Sequence, residues 1–185
     1  NLSDFKVATW NLQGSSAVNE SKWNINGADI LMVQEAGSPN MVYIYYSRRV
    51  NLAIVSRRQA DEAFIVHSDR PAVGIRIGTD VFFTVHALAT GGSDAVSLIR
   101  NIFTTFRGYS WMVVGDFNRA PVNLEAALRQ EPAVSENTII IAPTEPTHQS
   151  GNILDYAILH DAHLRIGASL MITSDHFPVS FVHDR

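Results

Sequence analysis

The stretch that decides the fold is SWMVVGDFNR, residues 110–119. Its continuous apolar run, Trp111–Val114, is typical of a strand that other layers of the protein cover on both faces. The run stops at Gly115, and residues 116–119 then present a carboxylate, an amide and a guanidinium. A buried strand that ends in this way predicts a sheet whose strand ends carry functional polar groups.

Segments of the same kind recur along the chain, and the recurrence predicts the architecture. Helical spacing is clearest over residues 93–106, where Ser93 is expected to cap the helix, and a second helix is expected after Pro121. Many strands and few helices favour an α+β sandwich of two β-sheets with helices outside, in a single domain over residues 1–185. The predicted strands are Phe5–Thr9, Ile30–Val33, Val42–Tyr46, Leu52–Val55, Phe64–His67, Val73–Ile77, Val81–His86, Trp111–Val114, Thr138–Ile141, Leu154–Leu159, Ala168–Ile172 and Val179–Val182.

Composition limits the partners that this chain can have. The 185 residues are 46% hydrophobic, carry a formal net charge of −4 and include no cysteine, which excludes disulfides and a thiol nucleophile. No apolar run approaches the roughly 18 residues of a membrane span. The start almost directly on a strand suits a mature protein whose leader has been removed, and a cytosolic origin stays open as the alternative. Strand-like segments nearly abut at several junctions, which predicts that loops are missing from this sequence.

Polar residues end or open many of the predicted strands. Taken singly, such a residue is most often a turn or capping residue. If they converge, two carboxylates about 4 Å apart at an effective dielectric of about 20 repel by roughly 4 kcal/mol, which protonation, a paired His or Arg, or a divalent cation would offset. Oxygen ligands suit Mg²⁺, with Mn²⁺ or Ca²⁺ as alternatives, and two imidazoles add acid–base catalysis, so the set favours phosphate-ester hydrolysis. The set is Asn11, Glu35, His86, Asp116, Asn118, Asp155, Asp175 and His176.

Six motifs in this order resemble the endonuclease/exonuclease/phosphatase superfamily, the group of pancreatic deoxyribonuclease: WNLQG, VQEAG, VHA, GDFN, LDY and SDHFPV. Four longer stretches, FKVATWNLQG, NLAIVSRR, RPAVGIRIG and SDHFPVSF, are similar to the B-subunit family of the cytolethal distending toxins. The resemblance implies a deoxyribonuclease I-like four-layer fold, with two mixed β-sheets packed face to face and helices outside. It also implies a magnesium-dependent endonuclease that nicks DNA with little sequence specificity.

The resemblance also implies a role for each residue that matches a motif. Glu35 would be the main Mg²⁺ ligand, with Asn11 and Asp175 nearby. Asp155 would orient His176, one imidazole of the acid–base pair. The catalytic residues would be His86, His176, Asp155, Asp116 and Asn118.

Contacts to phosphate are implied at several positions. Arg70, which opens RPAVGIRIG, matches a phosphate-contacting arginine, and Asn118, Arg119 and Arg49 are further candidates. The family pairs the first histidine with a glutamate, but the stretch GSPNMVY of this chain contains no acid, so the partner of His86 stays open. The candidates for a basic rim that would contact DNA phosphates are Arg48, Arg49, Arg57, Arg58, Arg70, Arg107 and Arg119.

Two other functions compete with the nuclease. A phosphoinositide phosphatase uses the same core, although its Pro-x-Trp-x-Asp-Arg signature is missing where this chain reads SGNILDYAIL. A catalytically inactive binding module on the same scaffold is the second alternative. The resemblance further implies two lectin-like partner subunits, A and C, secretion from a bacterium, and action on DNA in the nucleus of a host cell.

Overall fold

The chain folds into two β-sheets. The computed structural model describes residues 5–11, 29–34, 44–47, 51–56, 58–162, 164–166, 176 and 179–183. In chain order the strands are β1 (Val7–Asn11), β2 (Ile30–Gln34), β3 (Ile44–Ser47), β4 (Leu52–Ser56), β5 (Glu62–Val66), β6 (Ala72–Ile77), β7 (Asp80–His86), β8 (Ser110–Asp116), β9 (Ile139–Ile141), β10 (Asp155–His160), β11 (Leu164–Ile166) and β12 (Val179–His183). The helices are α1 (Ala95–Thr105), α2 (Pro121–Leu128) and α3 (Pro132–Ser135).

Each sheet contains six strands and is mixed. The first has the order β11-β12-β1-β2-β4-β3, and the second has the order β5-β6-β7-β8-β10-β9. The pairs β1 with β2 and β7 with β8 are parallel, and the other described pairs are antiparallel. The fold is therefore the four-layer, deoxyribonuclease I-like α+β sandwich that the sequence predicts.

Strand β8 shows why the sandwich forms. Its side chains alternate between two apolar layers, with Met112 and Val114 in the core between the sheets and Trp111 and Val113 in the core beneath the helices. Because both faces are covered, the strand is apolar throughout rather than alternating, as the sequence predicts. In the described part of the chain, no helix is long and apolar enough to cross a membrane.

The helix predictions are confirmed in position, but one cap was wrong. Pro121 occupies the first turn of α2, as expected. At the start of α1 the N-cap residue is Asp94 rather than Ser93, and Asp94 makes no side-chain cap because its Oδ1 accepts the N–H of Leu88 at 2.9 Å. The predicted strand over residues 168–172 lies outside the described residues. Strand β11 was not predicted.

The topology brings the functional strand ends to one edge. The parallel pairs place the C-terminal ends of β1 and β2 side by side, and likewise those of β7 and β8. β10 runs antiparallel to β8, so its first residue, Asp155, lies opposite Asp116, the last residue of β8. β12 begins beside Thr9 of β1, which brings the segment before β12 to the same edge. Polar residues distant in sequence are thereby brought to one edge, at strand ends and in the segments next to them.

Candidate active site

The centre of the site is the buried carboxylate of Asp116. Its Oδ2 accepts a hydrogen bond from the Asn11 side-chain amide at 3.0 Å, and its Oδ1 accepts the backbone N–H of Asn118 at 3.0 Å. The Nε2 atoms of His86 and His176 lie 3.4 Å and 3.5 Å from the same Oδ2. Two imidazoles from distant parts of the chain therefore present the same ring nitrogen to one point.

His176 is held from two sides. Its Nδ1 lies 2.7 Å from Asp155 Oδ2, and the indole N–H of Trp10 donates to its backbone carbonyl at 3.1 Å. Because the carboxylate is a pure acceptor when ionised, the His176 Nδ1 carries the proton and donates it. Its Nε2 is consequently left to face Asp116, which is the nitrogen that an acid–base catalyst needs.

The ionised forms of Asp116 and Asp155 are destabilised at these buried positions. Burial, followed by the nearby charge of Asp155, raises the pKa of Asp116, and the imidazoles of His176 and His86 oppose that rise. Burial also raises the pKa of Asp155, against the hydrogen bonds that it accepts from His176 and Thr147. Both shifts have the sign expected when ionised oxygens are removed from water without full compensation. A bound cation would supply the missing compensation.

The donor set fits a divalent metal ion. Ligand atoms of Asp116, Asp155 and His176 lie within 4.8 Å of one another. Asp155 Oδ1 is buried and accepts no hydrogen bond from the residues that the structure describes, so it retains the capacity to bind a cation. Two carboxylates and the neighbouring amide of Asn11 are oxygen-rich ligands of the kind that suits Mg²⁺. Glu35 and Asp175, which the resemblance adds to this set, lie outside the described residues.

Asn118 and Arg70 meet at one backbone carbonyl on the rim of the site. The Asn118 amide donates to Ala87 O at 2.7 Å, and a guanidinium nitrogen of Arg70 donates to the same oxygen at 3.1 Å. Asn118 adopts a φ of 51°, a left-handed conformation that Asn tolerates better than most residues. The kink turns the chain directly after Asp116, so that the N–H of Asn118 reaches back to its carboxylate.

The remaining predicted arginines differ in where they lie. Arg119 follows the site, and its guanidinium donates to Asn123 Oδ1 at 2.8 Å and to Gly92 O at 3.4 Å. Arg58 stacks over Phe5, next to the beginning of β2 rather than its end, and so lies away from the site edge. Arg107 lies beyond the C-terminal end of α1, also away from that edge. Arg48, Arg49 and Arg57 lie outside the described residues.

Sequence reasoning missed two residues of the site. Thr147 donates its hydroxyl to Asp155 Oδ2 at 2.8 Å, and the ring of His148 lies 4.6 Å from that of His176, centroid to centroid. They belong to the segment between β9 and β10, which has no helical or strand periodicity. The available signal was the dipeptide Thr-His shortly before the LDY motif.

Known proteins share this arrangement of strands and motifs. The sequence profile of the Endonuclease/Exonuclease/phosphatase family matches residues 8–176. The chain is 40% identical to a Salmonella typhi homolog of the B subunit of cytolethal distending toxin, in an alignment that covers 98% of this chain and 90% of the relative. The chain belongs to the cytolethal distending toxin B subunits of this family. The resemblance seen in the sequence is thus confirmed.

Solved structures of such toxins are similar to this one. The Haemophilus ducreyi cytolethal distending toxin matches with a TM-score of 0.89 at 66% identity, and that of Actinobacillus actinomycetemcomitans with a TM-score of 0.88 at 70% identity. Each match covers 100% of both chains. Family membership places the chain among the nuclease-type phosphoester hydrolases and among the subunits of bacterial toxins, in a family whose enzymes use divalent metals.

Proposed function

We propose that this chain is a magnesium-dependent endonuclease that nicks DNA with little sequence specificity. The observation that carries the proposal is the convergence of two imidazoles on one carboxylate oxygen, with the Nε2 atoms of His86 and His176 3.4 Å and 3.5 Å from Asp116 Oδ2. A pair of proton carriers at one point suits a reaction that removes a proton from water and returns one to a leaving oxygen. Phosphodiester hydrolysis is such a reaction.

The two histidines divide the proton transfers. One Nε2 accepts a proton from the attacking water, whose oxygen forms the new bond to phosphorus. The bond from phosphorus to the 3′ oxygen breaks in line, and the other imidazolium donates its proton to that oxygen. His176 keeps its orientation throughout because Asp155 binds its Nδ1 at 2.7 Å, as a carboxylate does in other histidine-based sites.

Amide and guanidinium groups then bind the phosphate oxygens. Asn11 and Asn118 flank the Asp116 carboxylate, and Arg70 reaches the rim at the Ala87 carbonyl. A guanidinium suits a phosphate because its N–H groups form a planar fork. Since the chain carries a net charge of −4, we expect DNA binding to depend on a few arginines here, with Arg49 and Arg119 as further candidates.

The metal would be held by oxygen ligands on the same edge. Asp116 and Asp155 are the described carboxylates, and Glu35, Asn11 and Asp175 are the ligands that the family resemblance adds. When bound, Mg²⁺ neutralises charge on the phosphate as it builds in the transition state. The residues of the chain contribute the ligands, their orientation and the burial that keeps bulk water from competing.

Replacing His176 by Asn tests the proposal. An Asn side-chain amide can still donate to Asp155 in place of Nδ1, but it has no group at the position of Nε2. We expect the initial rate of supercoiled plasmid nicking with Mg²⁺ to fall by about 10²–10⁴-fold, the usual contribution of an acid–base catalyst. Chelation should abolish nicking by the wild type, and added Mg²⁺ should restore it.

His160→Asn is the matched control for that variant. His160 ends β10 at the opposite end from Asp155, and its Nδ1 donates to Asn137 O at 2.8 Å, a bond that an Asn can also make. Its nicking rate should equal that of the wild type. Full activity of a folded His176→Asn protein would contradict the mechanism, and a wild type that binds DNA but never nicks it would favour the binding module.

A phosphoinositide phosphatase remains the alternative from the family resemblance. Release of inorganic phosphate from a trisphosphorylated inositol lipid, measured beside plasmid nicking on the same preparation, separates the two activities. We expect nicking to be the faster of the two activities.

We also propose that the chain is the catalytic component of a secreted toxin with two lectin-like partners, A and C, and that it acts in the host nucleus. We further propose that it forms one nuclease domain over residues 1–185.

A further inference from the structure

A short strap crosses over the Asp155–His176 pair and contacts both of its members. The strap consists of Thr147 and His148, whose backbone N–H groups both donate to Asn152 O, at 3.0 Å and 3.1 Å. The N–H of Gly151 donates back to His148 O at 3.0 Å. This closed turn fixes the strap, and His148 also forms an antiparallel backbone bridge with His176.

Thr147 controls the direction of the carboxylate. Its Oγ1 accepts the backbone N–H groups of Leu154, at 2.9 Å, and of Asp155, at 3.1 Å. Its single hydroxyl hydrogen is therefore directed to Asp155 Oδ2, at 2.8 Å. That oxygen is the one that also binds His176 Nδ1, so Thr147 restricts the rotation of the Asp155 carboxylate relative to the imidazole.

His148 controls the plane of the imidazole. Its ring meets that of His176 edge to face, at 4.6 Å between centroids and 70° between planes. The orientation of the His148 ring is itself fixed, because its Nδ1 accepts the N–H of Ser150 at 3.0 Å. A hydrogen bond at Nδ1 alone would let the His176 ring tilt about that bond, whereas a ring packed against its side restricts the tilt.

We propose that Thr147 and His148 are positioning residues that together keep His176 Nε2 directed at Asp116. Thr147 acts through the carboxylate of Asp155, and His148 acts through the His176 ring. The inference rests on the proposed function, since positioning matters only if His176 transfers a proton. Neither residue belongs to the set that the sequence motifs identify.

Paired variants separate the ring contact of His148 from its local hydrogen bond. In His148→Asn the amide oxygen can still accept the Ser150 N–H, but the ring is lost. In His148→Phe the ring remains and the acceptor is lost. If the ring positions His176, kcat falls by about 10-fold in the Asn variant with KM unchanged, while the Phe variant retains the wild-type kcat, as for other orienting neighbours of catalytic groups.

Thr147 is tested by a rescue series. Thr147→Val keeps the shape of the side chain and removes the hydroxyl, and we expect kcat for a quenched fluorescent DNA duplex to fall by about 10–100-fold. Thr147→Ser restores the hydroxyl and should recover the wild-type kcat. An effect on KM alone in either series would assign the strap to substrate binding and overturn the positioning role, as would an unchanged kcat in His148→Asn.

A second readout does not depend on activity. The ring N–H resonance of His176 in metal-free protein should shift in His148→Asn and Thr147→Val and stay in place in His148→Phe and Thr147→Ser. If the wild type hydrolyses no phosphodiester while these shifts occur, the proposed function fails and the strap stands. If the wild type nicks DNA and the resonance does not respond, the strap alone fails.

Discussion

Gly115 directly precedes Asp116, and no other residue type fits there. Its φ of 152° lies in a range that residues with a side chain rarely adopt. A Cβ atom at this position would lie 2.1 Å from the backbone oxygen of Val85 and 3.1 Å from Gln34 Nε2. The absence of a side chain therefore lets β7, β8 and the end of β2 approach one another immediately behind the buried Asp116 carboxylate.

Gly115→Ala should consequently destabilise the fold strongly. The collision is with backbone, which no rotamer change relieves, so we expect the free energy of unfolding in urea to fall by at least about 3 kcal/mol. Gly78→Ala is the matched control, because Gly78 has a φ of 63° but a Cβ there meets no atom within 4 Å. Its cost should be about 1–2 kcal/mol, the penalty of the left-handed conformation alone. Equal losses in the two variants would contradict the steric argument.

At the scale of the elements, a polar bridge joins the two sheets behind the site. The amide of Gln34, at the end of β2, donates to Thr9 Oγ1 in β1 and to Thr84 Oγ1 in β7, each at 2.9 Å. All three side chains are fully buried. A buried N–H without an acceptor costs more free energy than the bond itself contributes. This bridge therefore fixes the distance between the two sheets at the end of β2, directly before the predicted ligand Glu35.

A double-mutant cycle tests the bridge. Thr84→Val keeps the side-chain shape and removes one acceptor of the Gln34 amide, which leaves that N–H with the longer contact to Met32 O at 3.4 Å. The free energy of unfolding should therefore fall by about 1–3 kcal/mol. Gln34→Met removes the amide, including its Oε1, which is buried and accepts no hydrogen bond within the described part of the chain. The double variant should lose less than the sum of the single variants, because it buries no unpaired donor. Strict additivity in urea unfolding would argue that Gln34 and Thr84 do not interact.

The sequence predicted some elements far better than others, for physical reasons. β8 was evident because both of its faces are buried, which leaves an unmistakable apolar run, and Pro121 marked the start of α2. Which strands pair in parallel is not encoded locally, since it depends on contacts between distant segments. The Thr147–His148 strap was not predicted for a related reason: it lies in an irregular turn without periodicity, and its contacts to Asp155 and to His176 depend on the tertiary fold.

For the molecule as a whole, the buried carboxylates of the candidate site destabilise the metal-free fold. The carboxylates of Asp116 and Asp155 are buried together, and burial raises the pKa of each above its ordinary value of 3.8. The two carboxyl groups therefore stabilise the fold fully while they are protonated, below that value. This stabilisation is lost as the pH rises through their raised pKa. At neutral pH the metal-free fold carries this cost, which proteins commonly accept at functional sites.

Asp116→Asn should therefore make the metal-free protein more stable at neutral pH while removing its activity. The amide cannot ionise, so its advantage in free energy of unfolding should be greatest at pH 7 and should shrink as the pH falls and the wild-type carboxyl takes up its proton. Mg²⁺ should stabilise the wild type through binding to the folded state and stabilise the variant less. Urea unfolding in chelator and in Mg²⁺, across a pH series, measures both effects. Asp161→Asn, an exposed change beyond the far end of β10, should reproduce the wild-type curve. An Asp116→Asn protein less stable than the wild type at pH 7 would show that the two hydrogen bonds that the carboxylate accepts, from Asn11 and from Asn118, outweigh the cost of burying its charge.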